Sequence, residues 1–204
     1  MNESDARRAL LGRLWDYAGV FPPAELPLDD ALAEWRRIRA SNDAWLVNRL
    51  VVRPGHVEAC GSEPLAIVDG TEERHGDVVF REGETKLRCG GSRVPGVSEV
   101  ADFIRSCRTR GAVFKATAGL HHAVRAGGQH GFLNLLAASC LGFEEAVLAD
   151  DDPSAFRLTP ERFSWRGQGC DGAKVAEVRR GLFTSFGSCS VQEPVEELQK
   201  LEIL

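Results

Sequence analysis

Two short segments of this chain each carry a lysine a few residues before a glycine. Residues 85–91 read Thr-Lys-Leu-Arg-Cys-Gly-Gly, and residues 114–122 read Phe-Lys-Ala-Thr-Ala-Gly-Leu-His-His. An apolar or β-branched run that stops at glycine is typical of a strand that meets a tight turn. Lys86, Arg88 and Lys115 are therefore predicted to lie near the ends of two strands.

A pair of lysines on neighbouring strands has the groups that imine chemistry needs. A neutral amine attacks a carbonyl carbon, and a nearby cation lowers the pKa of that amine so that its neutral form exists near pH 7. Lys115 is the better candidate nucleophile because the adjacent residues Phe114 and Ala116 are apolar and would desolvate it. Lys86 or Arg88 would supply the perturbing charge. The alternative is that both lysines pair with carboxylates or bind an anion without reacting.

A short polar turn near the end of the chain is a candidate anion site. Residues 187–190 read Gly-Ser-Cys-Ser, and the Ser-x-x-Glu spacing of a capping box begins at Ser190. Backbone N–H groups and hydroxyls at a helix N-terminus attract negative charge. Gly187, Ser188 and Ser190 are therefore candidate substrate-binding residues, with Arg88 as a two-pronged clamp for phosphate or carboxylate. The alternative is that Ser190 only caps the helix.

Three histidines form a further candidate group. The adjacent His121 and His122 cannot easily both point inward from one strand end, and His121 has the position expected of a general acid or base. His130 and Asn134 are spaced to share one helix face and are candidate substrate-binding residues. The chain lacks His-x-x-x-His and Cys-x-x-Cys spacings, so we expect no metal and no cofactor. A histidine–metal-dependent lyase or isomerase is the alternative.

Two carboxylates are candidate partners for these groups. Asp16 precedes the rigid Phe-Pro-Pro segment at residues 21–23, and Glu82 precedes the Lys86 strand. Paired acids and bases of this kind perform proton transfer in many active sites. We therefore add Asp16 to the candidate catalytic residues, although an aspartate at the end of a helix is more often structural.

The lysine strands are predicted to belong to a strand–helix–strand unit. Apolar residues recur at helical spacing between Val97 and Arg110, and Gly111 is placed to end that helix. Strands joined in this way are normally parallel, and functional residues gather at their carboxyl ends. The same reasoning predicts strands within 45–52, 64–69, 77–81 and 182–186, and helices at 5–17, 28–40, 130–141, 173–180 and from 190 towards 204.

Length and composition favour one soluble domain. We expect residues 1–204 to form a single α/β domain, on which residues 1–43 pack as an N-terminal helical segment. The formal charge of −5 disfavours nucleic acid as a partner, and no run of about 20 apolar residues predicts a membrane span. Six scattered cysteines behind a polar, charged N-terminus indicate a reducing compartment, so we expect the cytoplasm.

Several motifs, taken together and in order, resemble a family of uncharacterised bacterial β/α-barrel-like proteins. The motifs are Asp16 to Pro23, Lys-x-Arg-x-Gly-Gly at 86–91, residues 114–122, His-Gly-Phe-Leu-Asn at 130–134, and Ser-Phe-Gly-Ser-Cys-Ser at 185–190. The resemblance implies a fold and a site region rather than a reaction. It also implies that residues 54–84 are a shortened part of the barrel. The two lysine strands are locally similar to those of class I aldolases of the deoxyribose-phosphate type.

The sequence therefore predicts an α/β fold with a mostly parallel sheet, in a reduced or incomplete (β/α) barrel-like architecture. We expect it to bind a small phosphorylated or carboxylated molecule at the carboxyl ends of the strands. A lyase or aldolase that acts through a lysine imine is the sharpest version of this hypothesis. The alternative is a non-catalytic, truncated barrel whose open sheet edges are covered in a homodimer or hetero-complex.

Overall fold

The computed structural model describes residues 5–204 and contains a large sheet and a small one. The eight strands of the large sheet are β1 (Trp15–Tyr17), β2 (Val47–Val52), β3 (Leu65–Asp69), β4 (Glu72–His75), β5 (Val78–Arg81), β6 (Lys86–Arg88), β7 (Phe114–Thr117) and β11 (Phe183–Ser188). The small antiparallel sheet consists of β8 (Phe156–Leu158), β9 (Arg162–Trp165) and β10 (Gln168–Asp171).

Helices cover the large sheet and connect its strands. They are α1 (Ala6–Leu11), α2 (Leu28–Arg39), α3 (Val97–Arg110), α4 (Phe132–Leu141), α5 (Glu144–Ala149), α6 (Gly172–Gly181) and α7 (Gln192–Lys200). Helix α3 has the predicted bounds and ends at Gly111, whose left-handed backbone (φ 61°) donates back to the last turn. Among the helices of residues 5–204, none is both long and apolar enough to cross a bilayer.

The large sheet is mostly parallel and almost closes on itself. Its strand order is β5-β4-β3-β2-β1-β11-β7-β6. Neighbours in the part β3-β2-β1-β11-β7-β6 pair in parallel. Strand β4 pairs antiparallel with both β3 and β5. The two ends of this order meet where Glu82 and Lys86 form a parallel bridge, so that the sheet is a nearly closed barrel. The predicted mixed α/β, barrel-like fold is confirmed at this level, whereas a complete ring of alternating strands and helices is not present.

Barrel closure explains the short connection between β5 and β6. Residues 82–85 are too few for a helical crossover, and the structure forms neither a hairpin nor one broken strand there. Residues 82–85 turn the chain from one end of the sheet order to the other, and Gly83 donates its N–H to the Lys86 carbonyl oxygen at 3.1 Å. The open edges on which the scaffold hypothesis depended are therefore brought together, while homodimer or hetero-complex formation stays a prediction.

The prediction of one helix over residues 5–17 is wrong. Asp5 caps α1 by accepting from the Arg8 N–H at 3.1 Å, but the helix ends at Gly12 and Trp15–Tyr17 forms β1 in the middle of the sheet. Residues 1–43 are therefore not a helical appendage, because within the described part they contribute a central strand. Strand β4, helix α5 and the small sheet were not predicted, since each element is at most six residues long and gives only a weak periodic pattern.

Alternation along the strands separates the helix-covered face of the barrel from its interior. Trp15 packs edge-on against Phe132 of α4, and Tyr17 stacks on Trp35 of α2, so Asp16 between them points inward. The same two-residue period directs Lys115 inward, with Phe114 packed against Phe103 and the other core aromatic rings. The barrel interior therefore collects polar residues, whereas the layer between sheet and helices forms the hydrophobic core.

Candidate active site at the mouth of the barrel

A cavity of about 540 Å³ opens at the carboxyl ends of the parallel strands. Its charged or titratable lining residues are Glu73, Glu82, Lys86, Arg88, His121 and Cys189. Its apolar wall includes Phe21, Pro22, Pro23, Val51, Val68 and Leu120, and the Pro22–Pro23 peptide bond is cis. A mostly apolar wall with a few convergent polar groups is the usual composition of a small-molecule site.

The floor of the cavity is a buried charge cluster centred on Lys115. The Lys115 Nζ lies 2.7 Å from Asp16 Oδ2, donates to Glu73 Oε1, and is 3.4 Å from His75 Nε2. His75 Nε2 in turn lies 2.8 Å from Glu73 Oε1. All four side chains are buried, so each charge depends on these partners rather than on water.

Two further hydrogen bonds fix the Asp16 carboxylate in place. Asn48 donates through Nδ2 to Oδ1 at 3.0 Å, and Ser185 donates through its hydroxyl to Oδ2 at 2.6 Å. Asp16 therefore accepts from three strands at once, β2, β7 and β11. This arrangement makes Asp16 a partner of Lys115 beneath the cavity; Asp16 does not line the cavity itself.

The carboxylates keep Lys115 protonated. Burial acts to lower the pKa of Lys115, but the adjacent Asp16 and Glu73 carboxylates outweigh it and raise that pKa above its ordinary value. For Glu73, burial acts in the opposite sense, and the charge of Lys115 together with the His75 hydrogen bond lowers the pKa to about 2. These ion-pair partners favour the ammonium form of Lys115, which argues against the expectation that apolar neighbours would make it a neutral nucleophile.

Lys86, rather than Lys115, is the buried lysine whose pKa is lowered. It is register partner to Lys115 on the neighbouring parallel strand, it is 4% exposed, and it lines the cavity. Within residues 5–204, its Nζ has no hydrogen bond and no ion pair within 4.0 Å. Burial lowers the pKa of Lys86; Glu73 opposes this change and the charge of Lys115 adds to it, leaving the pKa below its ordinary value.

Arg88 is a second cation of the cavity without a partner. In the part of the chain that the structure describes, its guanidinium forms no hydrogen bond and no ion pair, and the residue is exposed at the cavity mouth. Gly91, with φ of 99°, leaves room for it: a Cβ at that position would lie 3.0 Å from Arg88 Nη2. The fork of Arg88 is therefore available to a carboxylate or phosphate that enters the cavity.

Glycines allow the ends of β6 and β7 to approach each other. A Cβ on Gly90 would lie 2.7 Å from the Gly119 Cα, and a Cβ on Gly119 would lie 2.8 Å from the Gly90 Cα. Gly119 also has φ of 69°, which side-chain-bearing residues rarely adopt. Both glycines line the cavity, so this close approach shapes the wall beside Lys86 and Arg88.

The predicted histidine and serine residues divide into two groups. His121, Gly187 and Ser188 line the cavity with Lys86 and Arg88. The Ser188 hydroxyl donates to the Ser190 carbonyl oxygen at 2.6 Å, and Ser190 Oγ accepts from the Glu193 N–H at 3.3 Å. Ser190 therefore contacts the first turn of α7, although the N-cap residue itself is Val191, and Ser190 does not line the cavity.

His130 and Asn134 lie outside the cavity and have structural contacts. His130 is fully buried and its Nε2 lies 2.8 Å from the Pro95 carbonyl oxygen, and burial lowers its pKa. Asn134 donates to the carbonyl oxygens of Val147 and Asp150 and accepts from the Arg125 N–H, all within 2.8 Å. The expectation that they bind substrate was based on helical spacing, which does not reveal that α4 packs behind the sheet.

Asp16, Glu73 and His75 could together hold a metal ion. Their ligand atoms lie within 4.8 Å of one another, and one histidine with two carboxylates is a common donor set for divalent metals. However, the Lys115 ammonium contacts all three donors and occupies the space between them. Lys115 therefore supplies the positive charge that balances the two carboxylates.

Sequence reasoning missed Glu73 and His75 in the cluster, and also Asn48 and Ser185, which donate hydrogen bonds to Asp16. Glu73 and His75 belong to β4, whose Glu-Glu-Arg-His sequence has no apolar alternation to mark it as a strand. Asn48 lies on a strand that was predicted, but nothing in the sequence relates it to Asp16. The one available sequence signal for β4 was a short charged segment that directly follows a predicted apolar strand.

Comparisons with models of known protein families, with curated proteins and with solved structures give no match at the level required of a significant similarity. The resemblance to bacterial β/α-barrel-like proteins and the local similarity to class I aldolases therefore stay predictions. What the geometry defines is a class: a mixed α/β, barrel-like protein with a polar cavity at the carboxyl ends of its parallel strands.

Proposed function

We propose that this protein binds a small anionic carbonyl compound at the mouth of the barrel, and that the Lys86 amine forms an imine with it. The observation that carries the proposal is the presence of two unpaired cations, Lys86 and Arg88, in one cavity of the described chain. The substrate class is a phosphorylated or carboxylated aldehyde or ketone, and the reaction class is that of a lyase or aldolase.

Lys86 is suited to be the nucleophile because its pKa is lowered while its partner on β7 stays charged. The neutral amine attacks the carbonyl carbon to give a carbinolamine. Uptake of one proton from solvent and loss of water then convert the carbinolamine into a protonated imine. Lys115 does not react; its ammonium favours the neutral form of Lys86 before the attack. The roles of the two lysines are thus the reverse of those predicted from the sequence.

Arg88 supports the same proposal from the other end of the substrate. Lys86 and Arg88 are two residues apart on β6, so both side chains extend to the same side of the strand. An anionic group held by the Arg88 fork would leave a carbonyl carbon a few ångströms away within reach of the amine. The apolar side chains of the cavity wall would lower the local dielectric constant around a bound ligand, which strengthens both interactions.

Borohydride reduction tests the proposal because it converts an imine into a stable secondary amine. The chain has four lysines, Lys86, Lys115, Lys174 and Lys200, so peptide mapping assigns the modified residue without ambiguity. We expect one adduct, on Lys86, after incubation with pyruvate or glycolaldehyde phosphate. Lys86→Met should abolish that adduct, whereas the control Lys174→Met, at an exposed pair with Glu177, should retain it.

Two results would contradict the proposal. The first is equal adduct formation on the exposed lysines in wild type and in Lys86→Met, which would indicate non-specific chemistry. The second is an adduct on Lys115 alone, which would mean that the buried ion pairs do not prevent its reaction. Arg88→Met should reduce trapping of the anionic probes at least about tenfold, while leaving trapping of the uncharged probe glycolaldehyde within about twofold.

A further inference from the structure

His121 and Glu193 form a hydrogen-bonded pair at the edge of the cavity. His121 Nδ1 lies 3.0 Å from Glu193 Oε2, and the imidazole lines the same cavity as Lys86. A carboxylate can only accept a hydrogen bond, so Nδ1 carries the proton in this contact. In the neutral ring, Nε2 then has a free lone pair, and within the described residues it has no hydrogen-bond partner.

The loop that carries His121 is held to α7 at a second point. Glu197, one helical turn after Glu193, accepts from the Ala123 N–H at 3.2 Å, and its carboxylate lies 3.8 Å from His122 Nδ1. His122 is therefore turned towards α7, and it does not line the cavity. Two carboxylates at i,i+4 spacing thus fix the loop and leave His121 as the histidine that faces the cavity.

We infer that His121 is the general base that removes a proton from the carbon next to the Lys86 imine, and that Glu193 is its positioning residue. This inference rests on the proposed imine and adds the proton-transfer step to it. His121 Nε2 takes the proton, the C–H electron pair forms the enamine double bond, and the π pair of the protonated imine moves to the Lys86 nitrogen. Glu193 stabilises the imidazolium, which returns the proton in the reverse step.

Deuterium exchange into pyruvate separates this step from imine formation. Pyruvate is incubated with the protein in D₂O, methyl exchange is followed by proton NMR, and borohydride trapping is measured in parallel. We expect His121→Gln to slow exchange about 100-fold with trapping within twofold of wild type. Glu193→Gln should slow exchange about fivefold, as expected for loss of a partly exposed ion pair, and Glu193→Asp should recover part of that loss.

The matched control is Glu196→Gln, which removes the same charge from α7 at a residue that contacts Gln192 rather than a histidine. It should leave both exchange and trapping unchanged. A purely structural His121–Glu193 contact would alter the unfolding midpoint without changing the ratio of exchange to trapping. Normal trapping with unchanged exchange in His121→Gln would overturn the inference alone, and the absence of any Lys86 adduct in wild type would overturn the proposed function together with it.

Discussion

Replacing Lys115 with methionine removes the one ammonium that contacts both buried carboxylates of the cluster. Methionine fills much of the same volume but leaves Asp16 and Glu73 without the cation that balances them. Breaking a buried ion pair from one side costs about 3 to 5 kcal/mol of unfolding free energy, because a desolvated charge remains. The Lys115→Met variant should therefore be less stable than wild type by this amount at pH 7.

The pH dependence of stability should also change sign. In wild type, Glu73 has a pKa of about 2 against an ordinary value of 4.5, which corresponds to about 3 kcal/mol of stability. Because the folded pKa is the lower one, that stability is fully present above pH 4.5 and is lost as the pH falls towards 2. Without Lys115, burial should raise the pKa of Glu73 above 4.5, so the variant should lose stability as the pH rises from 4.5.

Urea unfolding at pH 3, 5 and 7 measures both effects. Lys174→Met is the control, because the exposed Lys174 forms an ion pair with the exposed Glu177 and its removal should cost less than about 0.5 kcal/mol. If Lys115→Met does not fold at pH 7, the double variant Lys115→Met/Glu73→Gln should recover part of the stability, since it removes one unpaired charge. Parallel pH profiles for wild type and Lys115→Met would refute the assignment of Lys115 as the charge that stabilises this cluster.

Three further predictions concern the wall and the surroundings of the cavity. Lys86→Met should abolish imine trapping and yet raise the unfolding free energy by about 1 kcal/mol, because a buried amine without a partner is removed. A less stable variant would contradict the assignment of Lys86 as a buried lysine without an ion-pair partner. Asn134→Ala should lower the unfolding free energy measured in urea by about 3 kcal/mol, because three hydrogen bonds are lost. Imine trapping at Lys86 should be retained, and its loss in a folded variant would indicate that Asn134 does contribute to the binding site. Gly119→Ala should lower the unfolding free energy measured in urea by about 2 kcal/mol, since φ of Gly119 is positive and the new Cβ would clash with Gly90. Gly127→Ala is the control: φ is again positive but the new Cβ meets open space, so a smaller loss there separates the backbone effect from the clash.

The sequence predicted most of the elements that position the cavity. Apolar alternation and glycine at strand ends identified β2, β3, β7 and β11, and helical periodicity identified α3. A strand–helix–strand unit with lysines at matching positions implied that Lys86 and Lys115 are neighbours, and the register of β6 and β7 confirms it. These predictions depend on local patterns, which is why one sequence was sufficient for them.

The central strand β1 could not be recognised in the same way. Its three residues, Trp-Asp-Tyr, follow α1 so closely that their spacing fits a continued helix. They become a strand because β2 and β11 flank them and supply hydrogen bonds on both sides. Tertiary pairing therefore decides the conformation of a segment whose local preference is ambiguous.

The sequence by itself determined which residue types lie at the carboxyl ends of the strands, because apolar alternation and strand-ending glycines are local patterns that involve only neighbouring residues. Only the tertiary structure decided which lysine stays charged. Asp16 is 99 positions from Lys115 and Glu73 is 42 positions from it, yet both carboxylates contact its ammonium. Charge states depend on distance and burial in three dimensions, so the roles proposed for Lys86 and Lys115 rest on the folded barrel and not on the sequence pattern.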